Sequence, residues 1–430
     1  MTIFTKKSIL LLVGGMFLLG AGVAQAAVPQ PKSEGKYFHG KGTKTAEDYE
    51  DTAGQSSYDY ANKGFEVGPV HLRPSADYQF RWDDNVFLEE SGQEKNDLIN
   101  TLRGKLNAEL PLNGGQHLLT AGGSIYREIF HRFDNQNHTD YSVNAGLKLN
   151  FVPFTLDIDD LHEQTESRAN TEFTDRIQRD ENAFHSLLEV PFSQFFLENE
   201  ITNFWVDYGE ITDQSFNHNL FTVYQRIGHD WTPAMQVLAE LSYINIDYTE
   251  VGDRNGDGYQ YMGGIRGNFT ELIAYQAWLG VQHRIYDQEI RPDYNNLVFR
   301  GALQYDPTEL STWILKGDVS PEESTFDNQS YYTRSRAELT WNRQIHDRIY
   351  WNSHGMVSYN DYSRITVRRA TSEEETRRDW IWEGGTGLEY RLPNDVVSVT
   401  LDYRYSGRES NLDGLDYGGN EISAGVRAAF

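Results

Sequence analysis

An all-β fold, a transmembrane up-and-down antiparallel β-barrel of about 18 strands, follows from three features of this 430-residue chain. Segments of roughly ten residues with apolar side chains at every second position recur from Val70 onward. The connections between them are alternately short and long, which is the rhythm of successive hairpins. The final segment, 421–430, puts Ile422, Ala424, Val426, Ala428 and Phe430 on one face and Glu421, Ser423 and Arg427 on the other, with the apolar row running to the last residue.

Taken in order, the chain opens with a processing signal. Lys6 and Lys7 precede an apolar run over 9–23, and Ala24-Gln25-Ala26 supplies the small residues that signal peptidase requires. Residues 1–26 are therefore expected to be a signal peptide, cut near Ala27. The run is too short to stay as a spanning helix. The chain holds no cysteine, which suits an oxidising compartment and excludes disulfide scaffolds, thiol nucleophiles and thiolate metal sites. Residues 27–68 are rich in Gly, Ser, Lys, Asp and Tyr without a sustained period. They read as a flexible periplasmic segment, either an unstructured leader with no role of its own or a tail that enters the pore or touches a periplasmic partner.

The barrel is expected over 69–430. Leu98, Leu102, Leu106, Ala108 and Leu110 share one face of an early strand, and Thr101, Arg103, Lys105, Asn107 and Glu109 share the other. Tyr141, Val143, Ala145, Leu147, Leu149 and Phe151 repeat the pattern, as do Met235 to Tyr243, Trp380 to Tyr390 and Val397 to Tyr405 at alternate positions. Short connections are expected at 112–116, 152–153, 191–194, 232–233, 270–272, 306–310, 346–348 and 393–395, where Pro and Gly punctuate. Longer polar ones include 84–95, 166–179, 249–258, 364–379 and 411–420. Strands near Gly122, Phe196 and Leu220 keep the phase poorly. A mean hydropathy of -0.63 does not oppose a membrane location, because only alternate strand residues would face lipid. The 26 Tyr, 22 Phe and 9 Trp suit aromatic girdles at the two interfaces.

The last strand resembles the terminal strand of bacterial outer-membrane barrels, whose assembly machinery recognises a final Phe. Phe430 is accordingly expected to be an assembly signal. The implied location is the outer membrane of a Gram-negative-type bacterium, with lipid, lipopolysaccharide and the barrel assembly machinery as partners. Tyr78-Gln79-Phe80-Arg81-Trp82-Asp83-Asp84-Asn85-Val86-Phe87, then an acidic loop and Asp97-Leu98-Ile99, resembles the opening hairpin of the putative β-barrel porin 2 family. That resemblance spans roughly residues 70–110 and implies a channel tied to exopolysaccharide or capsule export, with periplasmic export components as partners.

The strand phase directs Arg103, Lys105, Lys148, Arg266, Arg300, Arg334, Arg336, Arg391, Arg404 and Arg427 into the lumen, together with Asp77, Glu109, Glu338, Glu383, Glu389 and Asp402. Such residues either pair across strands and stiffen the wall, or form a track along which an anionic chain slides between guanidinium forks. Asp253, Asn255 and Asp257 match the first half of a calcium loop, but position twelve is Gly264 where a bidentate Glu is needed. The charges of 364–379 read as a solvated loop or as a contact for lipopolysaccharide phosphates. Loss of the leader removes two Lys and no acid, taking the formal charge from -26 to -28, which repels nucleic acid. None of His131, His138, His185, His229, His283 or His354 lies in a catalytic motif, so no enzyme, cofactor or resident metal is expected. The expectation is a monomeric or loosely associated barrel acting as a passive conduit for export of acidic polysaccharide. The alternative is a general or solute-selective uptake porin, with an outer-membrane enzyme or adhesin ranked below both.

Overall fold

The computed structural model describes residues 64–168, 172, 176–209, 216–249, 254–287, 293–324, 331–367, 374–393 and 396–430. The expected leader and residues 27–63 lie outside them. The strands are β1 (Phe65–Val67), β2 (Val70–Asp83), β3 (Asp97–Leu112), β4 (His117–Phe130), β5 (His138–Asn150), β6 (Thr155–Thr165), β7 (Arg179–Phe192), β8 (Phe195–Tyr208), β9 (His218–Thr232), β10 (Met235–Tyr248), β11 (Gly256–Thr270), β12 (Ile273–Tyr286), β13 (Tyr294–Thr308), β14 (Ser311–Glu323), β15 (Tyr331–His346), β16 (Ile349–Val367), β17 (Glu374–Arg391), β18 (Val397–Ser410) and β19 (Tyr417–Ala429).

From β2 to β19 each strand pairs antiparallel with its neighbour in the chain, and β19 closes on β2 with Arg427 opposite Asp77 and Val426 opposite Tyr78. Eighteen strands therefore form the closed wall, so the sheet has no free edge strand, although the outer ends of β13 and β14 diverge beyond Phe299 opposite Val319. A barrel of this strand number encloses an aqueous channel rather than a side-chain core. The short connections fall at or beside the expected positions, although those at 271–272 and 347–348 hold neither Pro nor Gly, Pro191 and Pro307 end strands β7 and β13 instead of sitting in the turns, and residues 394–395 lie outside the described residues.

Alternation sorts the side chains. Outward rows hold exposed Leu279, Leu297, Ile125 and Leu401, and glycines Gly263 and Gly301. Aromatics gather in two bands on this face. Phe192, Phe195, Trp231 and Phe269 lie beside the short turns, whereas Phe80, Tyr141, Tyr261 and Trp380 lie near the opposite ends. An apolar belt between aromatic girdles is what hydrocarbon between two wet interfaces selects.

Two expectations are corrected. The periplasmic segment is not wholly without structure: Phe65–Val67 pairs with the start of β2 through a turn at Gly68, whose φ of 63° suits glycine. Gly64 N also donates to Phe430 O at 2.6 Å, tying the first described residue to the last. The charged connection expected over 364–379 is mostly strand, because β16 and β17 stay paired as far as Val367 opposite Glu374. Above the membrane both faces of a strand are wet, so a run of charges no longer marks a loop. The side chains of 363–374 lie outside the described residues, but Arg377 does not sit in a solvated loop. It is buried, stacked over Tyr362 and forked to Asp379.

Candidate functional site: the inner wall of the barrel

All ten cationic residues read from the sequence stand on inward rows, set by strand alternation. Arg103 lies over the Tyr126 ring and opposite Asp77, and Lys105 faces Ser75 and Ser124 across its neighbouring strands. Lys148 Nζ is 3.4 Å from Asp157 Oδ2. Arg427 lies opposite Asp77 and Ser398. The other six are held against carboxylates: Arg266 to Glu198, Arg300 to Glu240, Arg334 to Asp318 and Glu322, Arg336 to Glu338, Arg391 to Glu389, and Arg404 to Glu383.

The most buried of these contacts form one network around Arg226, which sequence reasoning missed. Arg226 reaches Glu240 at 2.5 Å, Glu200 at 2.6 Å and Glu198 at 3.6 Å, and all four side chains are at most 8% exposed. Arg266 and Arg300 bind Glu198 and Glu240 from the other side, at 2.6 and 2.5 Å. His185 extends the chain from Glu200 to Asp159. A second chain of contacts runs round the opposite wall, from His354 through Glu383, Arg404, Glu421 and Arg81 to Glu128. Alternating signs at these distances hold the wall rigid, since each buried charge is neutralised on more than one side.

Apolar side chains also face inward, beside the charged residues that the strand phase placed there. Leu238, Met262, Trp278, Tyr294 and Val298 form a buried cluster with Phe196 and Tyr331. Glycines make the seats. A Cβ on Gly264 would lie 2.4 Å from the Trp278 ring, and one on Gly228 would lie 1.9 Å from Phe196. With nothing beneath them the rings lie flat on the wall, and Arg300 and Arg266 stack over them at 4.7 and 4.9 Å. These inward aromatics are why the phase was hard to read near Phe196 and Leu220.

Strands β6 to β8 make one wall acidic. Asp157, Asp159, Glu163, Glu181, Glu189, Glu198 and Glu200 all lie on inward rows there, against His185 and the buried Arg179. The signal was present in the sequence as Asp157-Ile158-Asp159, but the two-residue alternation of acids was hidden by Asp160 on the other face.

At the outer mouth, residues of the β6–β7 connection touch widely separated walls. Arg168 donates to Val86 O at 2.6 Å, between β2 and β3, and Arg176 lies 4.9 Å over Phe130. Glu172, only four positions from Arg168, is buried and accepts from Ser324 Oγ at 2.9 Å, beyond the end of β14. Arg254 donates to Ser324 O at 2.9 Å from a third side. β6 and β14 stand nearly opposite in the ring, so these contacts narrow the entrance.

The half calcium loop is occupied by strand-end hydrogen bonding. Asn255 Oδ1 accepts from Tyr248 N at 2.7 Å, and Asp257 Oδ1 accepts from Tyr243 Oη and Asn245 Nδ2 at 2.7 and 2.9 Å. Asp253 lies outside the described residues.

The family model described as putative beta-barrel porin 2 matches residues 58–430. No curated protein matches the chain. Among solved structures, similarity extends to OpdK of Pseudomonas aeruginosa, at 12% identity, covering 84% of this chain and 99% of that one with a TM-score of 0.45. It also extends to OccAB3 of Acinetobacter baumannii, at 9%, 85%, 100% and 0.44, and to a BenF-like porin of Pseudomonas fluorescens Pf-5, at 9%, 85%, 100% and 0.48. At these values the likeness carries no residue role or substrate across.

Proposed function

The chain belongs to the putative beta-barrel porin 2 family, and from that premise we propose that it admits small hydrophilic solutes passively, with neutral and cationic solutes favoured. It is a porin-like β-barrel channel of the Gram-negative outer membrane. The observation that carries the uptake reading is the narrowed entrance, where Arg168 and Glu172 join Val86 on one side to Ser324 on the other. A mouth crossed in this way suits solutes that pass singly, and it opposes a long polymer that must thread an unobstructed bore.

The charges support the same direction. Export of an acidic polymer along an arginine track needs guanidinium groups that can exchange partners. Arg266, Arg300, Arg334, Arg336, Arg391 and Arg404 are instead engaged by wall carboxylates. The acidic wall of β6 to β8 adds a field that repels anions and concentrates cations in the lumen. A deletion strain separates the two readings. Slower uptake of small neutral and cationic solutes with unchanged cell-surface polysaccharide is expected. Loss of surface polymer with normal solute uptake would restore the export reading.

A further inference from the structure

The outward face of β6 to β9 departs from the rest of the belt. Ser186, Asn199 and Gln225 face away from the lumen at the depth where hydrocarbon should lie, interleaved with Ile158, Leu188, Ile201 and Val223, and Asp160, Asn182 and Asn203 stand at the upper edge of the same patch. Depth is fixed on these very strands. Phe192, Phe195 and Trp231 lie below the patch beside the short turns, and Phe184, Trp205 and Phe221 lie at its upper side, with Phe184 opposite both Asp160 and Asn203. At the same height other strands present Ile265, Leu279, Leu303 and Leu401. The residues are neighbours: Asn199 is opposite Gln225 across β8 and β9, and Asn182 Nδ2 donates to Asp160 Oδ1 at 3.1 Å. Amides facing lipid have no water and too few partners, which a stable membrane surface does not tolerate.

We propose that this patch is covered by a second copy of this chain. The occupant must offer hydrogen-bonding groups at mid-membrane depth, which no periplasmic or extracellular protein reaches. A second copy inserted by the same route holds its own patch at the same height. Rotation about an axis normal to the membrane then brings patch to patch. Asn, Gln and Ser each donate and accept, so the patch is complementary to itself, and Asp160 accepts from amides on either copy. The channel is thus an oligomer joined along β6 to β9, in place of the monomeric or loosely associated barrel expected from sequence.

The absence of cysteine gives a clean test. Ser186→Cys and Asn199→Cys are placed singly in the full chain, with Leu401→Cys as a control at matching depth on the far wall. Folded insertion is confirmed by heat-modifiable migration, and intact outer membranes are oxidised with copper phenanthroline. A disulfide-linked species of twice the monomer mass, at least several-fold more abundant for Ser186→Cys and Asn199→Cys than for Leu401→Cys, is expected. Equal yields at all three sites, no linked species, or a product of another mass overturns the proposal, the last by revealing a different partner. If neither patch variant inserts, light scattering of the unmodified protein in mild detergent decides: a single-chain mass overturns it as well.

Discussion

Replacing Arg226 by Gln removes the cation at the centre of the most buried network while keeping a polar side chain of similar reach. The three carboxylates it serves are at most 5% exposed, so water cannot substitute for it. Losing one partner of a buried ion pair costs about 3–5 kcal/mol. Here each carboxylate keeps a second partner, with Arg266 on Glu198, Arg300 on Glu240 and His185 on Glu200, so the lower end of that range, about 3 kcal/mol, is expected. The assay is reversible urea unfolding in lipid vesicles, followed by fluorescence of the 9 Trp. Arg378→Gln is the control, because Arg378 and Asp361 lie 3.7 Å apart with both side chains more than half exposed, and such pairs contribute below about 1 kcal/mol. A loss for Arg226→Gln no larger than that control would refute the reasoning and show that lumenal water screens the network. The same substitution leaves an uncompensated negative charge in the lumen and should raise cation selectivity.

Gly264→Val should push the Trp278 ring off its seat into the lumen, lowering single-channel conductance and stability by about 1–3 kcal/mol; unchanged conductance would mean that the ring does not border the permeation path. Phe430→Ser should reduce insertion into the outer membrane while leaving export across the inner membrane intact, measured by fractionation and heat-modifiable migration, with full insertion counting against an assembly role. Neutralising Arg334 and Arg336 together with Gln frees Asp318, Glu322 and Glu338 from their cations, so the reversal potential should move toward stronger cation preference while surface polysaccharide is unaffected. A fall in surface polysaccharide in that variant would instead mark those arginines as part of an export track.

Outward rows were legible because lipid tolerates few exceptions, so Leu401, Tyr403 and Val399 declare their face without knowledge of their neighbours. Most turns were legible because Pro and Gly have local backbone causes, whereas 271–272 and 347–348, which hold neither, followed from the rhythm of the strands on either side. The inner wall was less so. Phe196 and Trp278 are apolar residues pointing inward, and what permits them is a glycine on the adjacent strand, Gly228 or Gly264, which no local pattern relates to its ring. The Arg226 network joins β8, β9, β10, β11 and β13, so its connectivity exists only once register is fixed. Contacts such as Glu172 with Ser324 span 152 positions. The charges near 364–379 misled because strands standing clear of the membrane lose the lipid constraint that makes alternation visible.

A narrowed, water-filled lumen with an acidic surplus on the β6 to β8 wall should pass cations ahead of anions. The reversal potential of the purified, unmodified channel in a planar bilayer under a potassium chloride gradient tests this most directly. Discrete conductance steps with a reversal potential of the sign given by potassium permeating faster than chloride are predicted. A channel that prefers chloride, or a folded and inserted protein that conducts no ions, would contradict it.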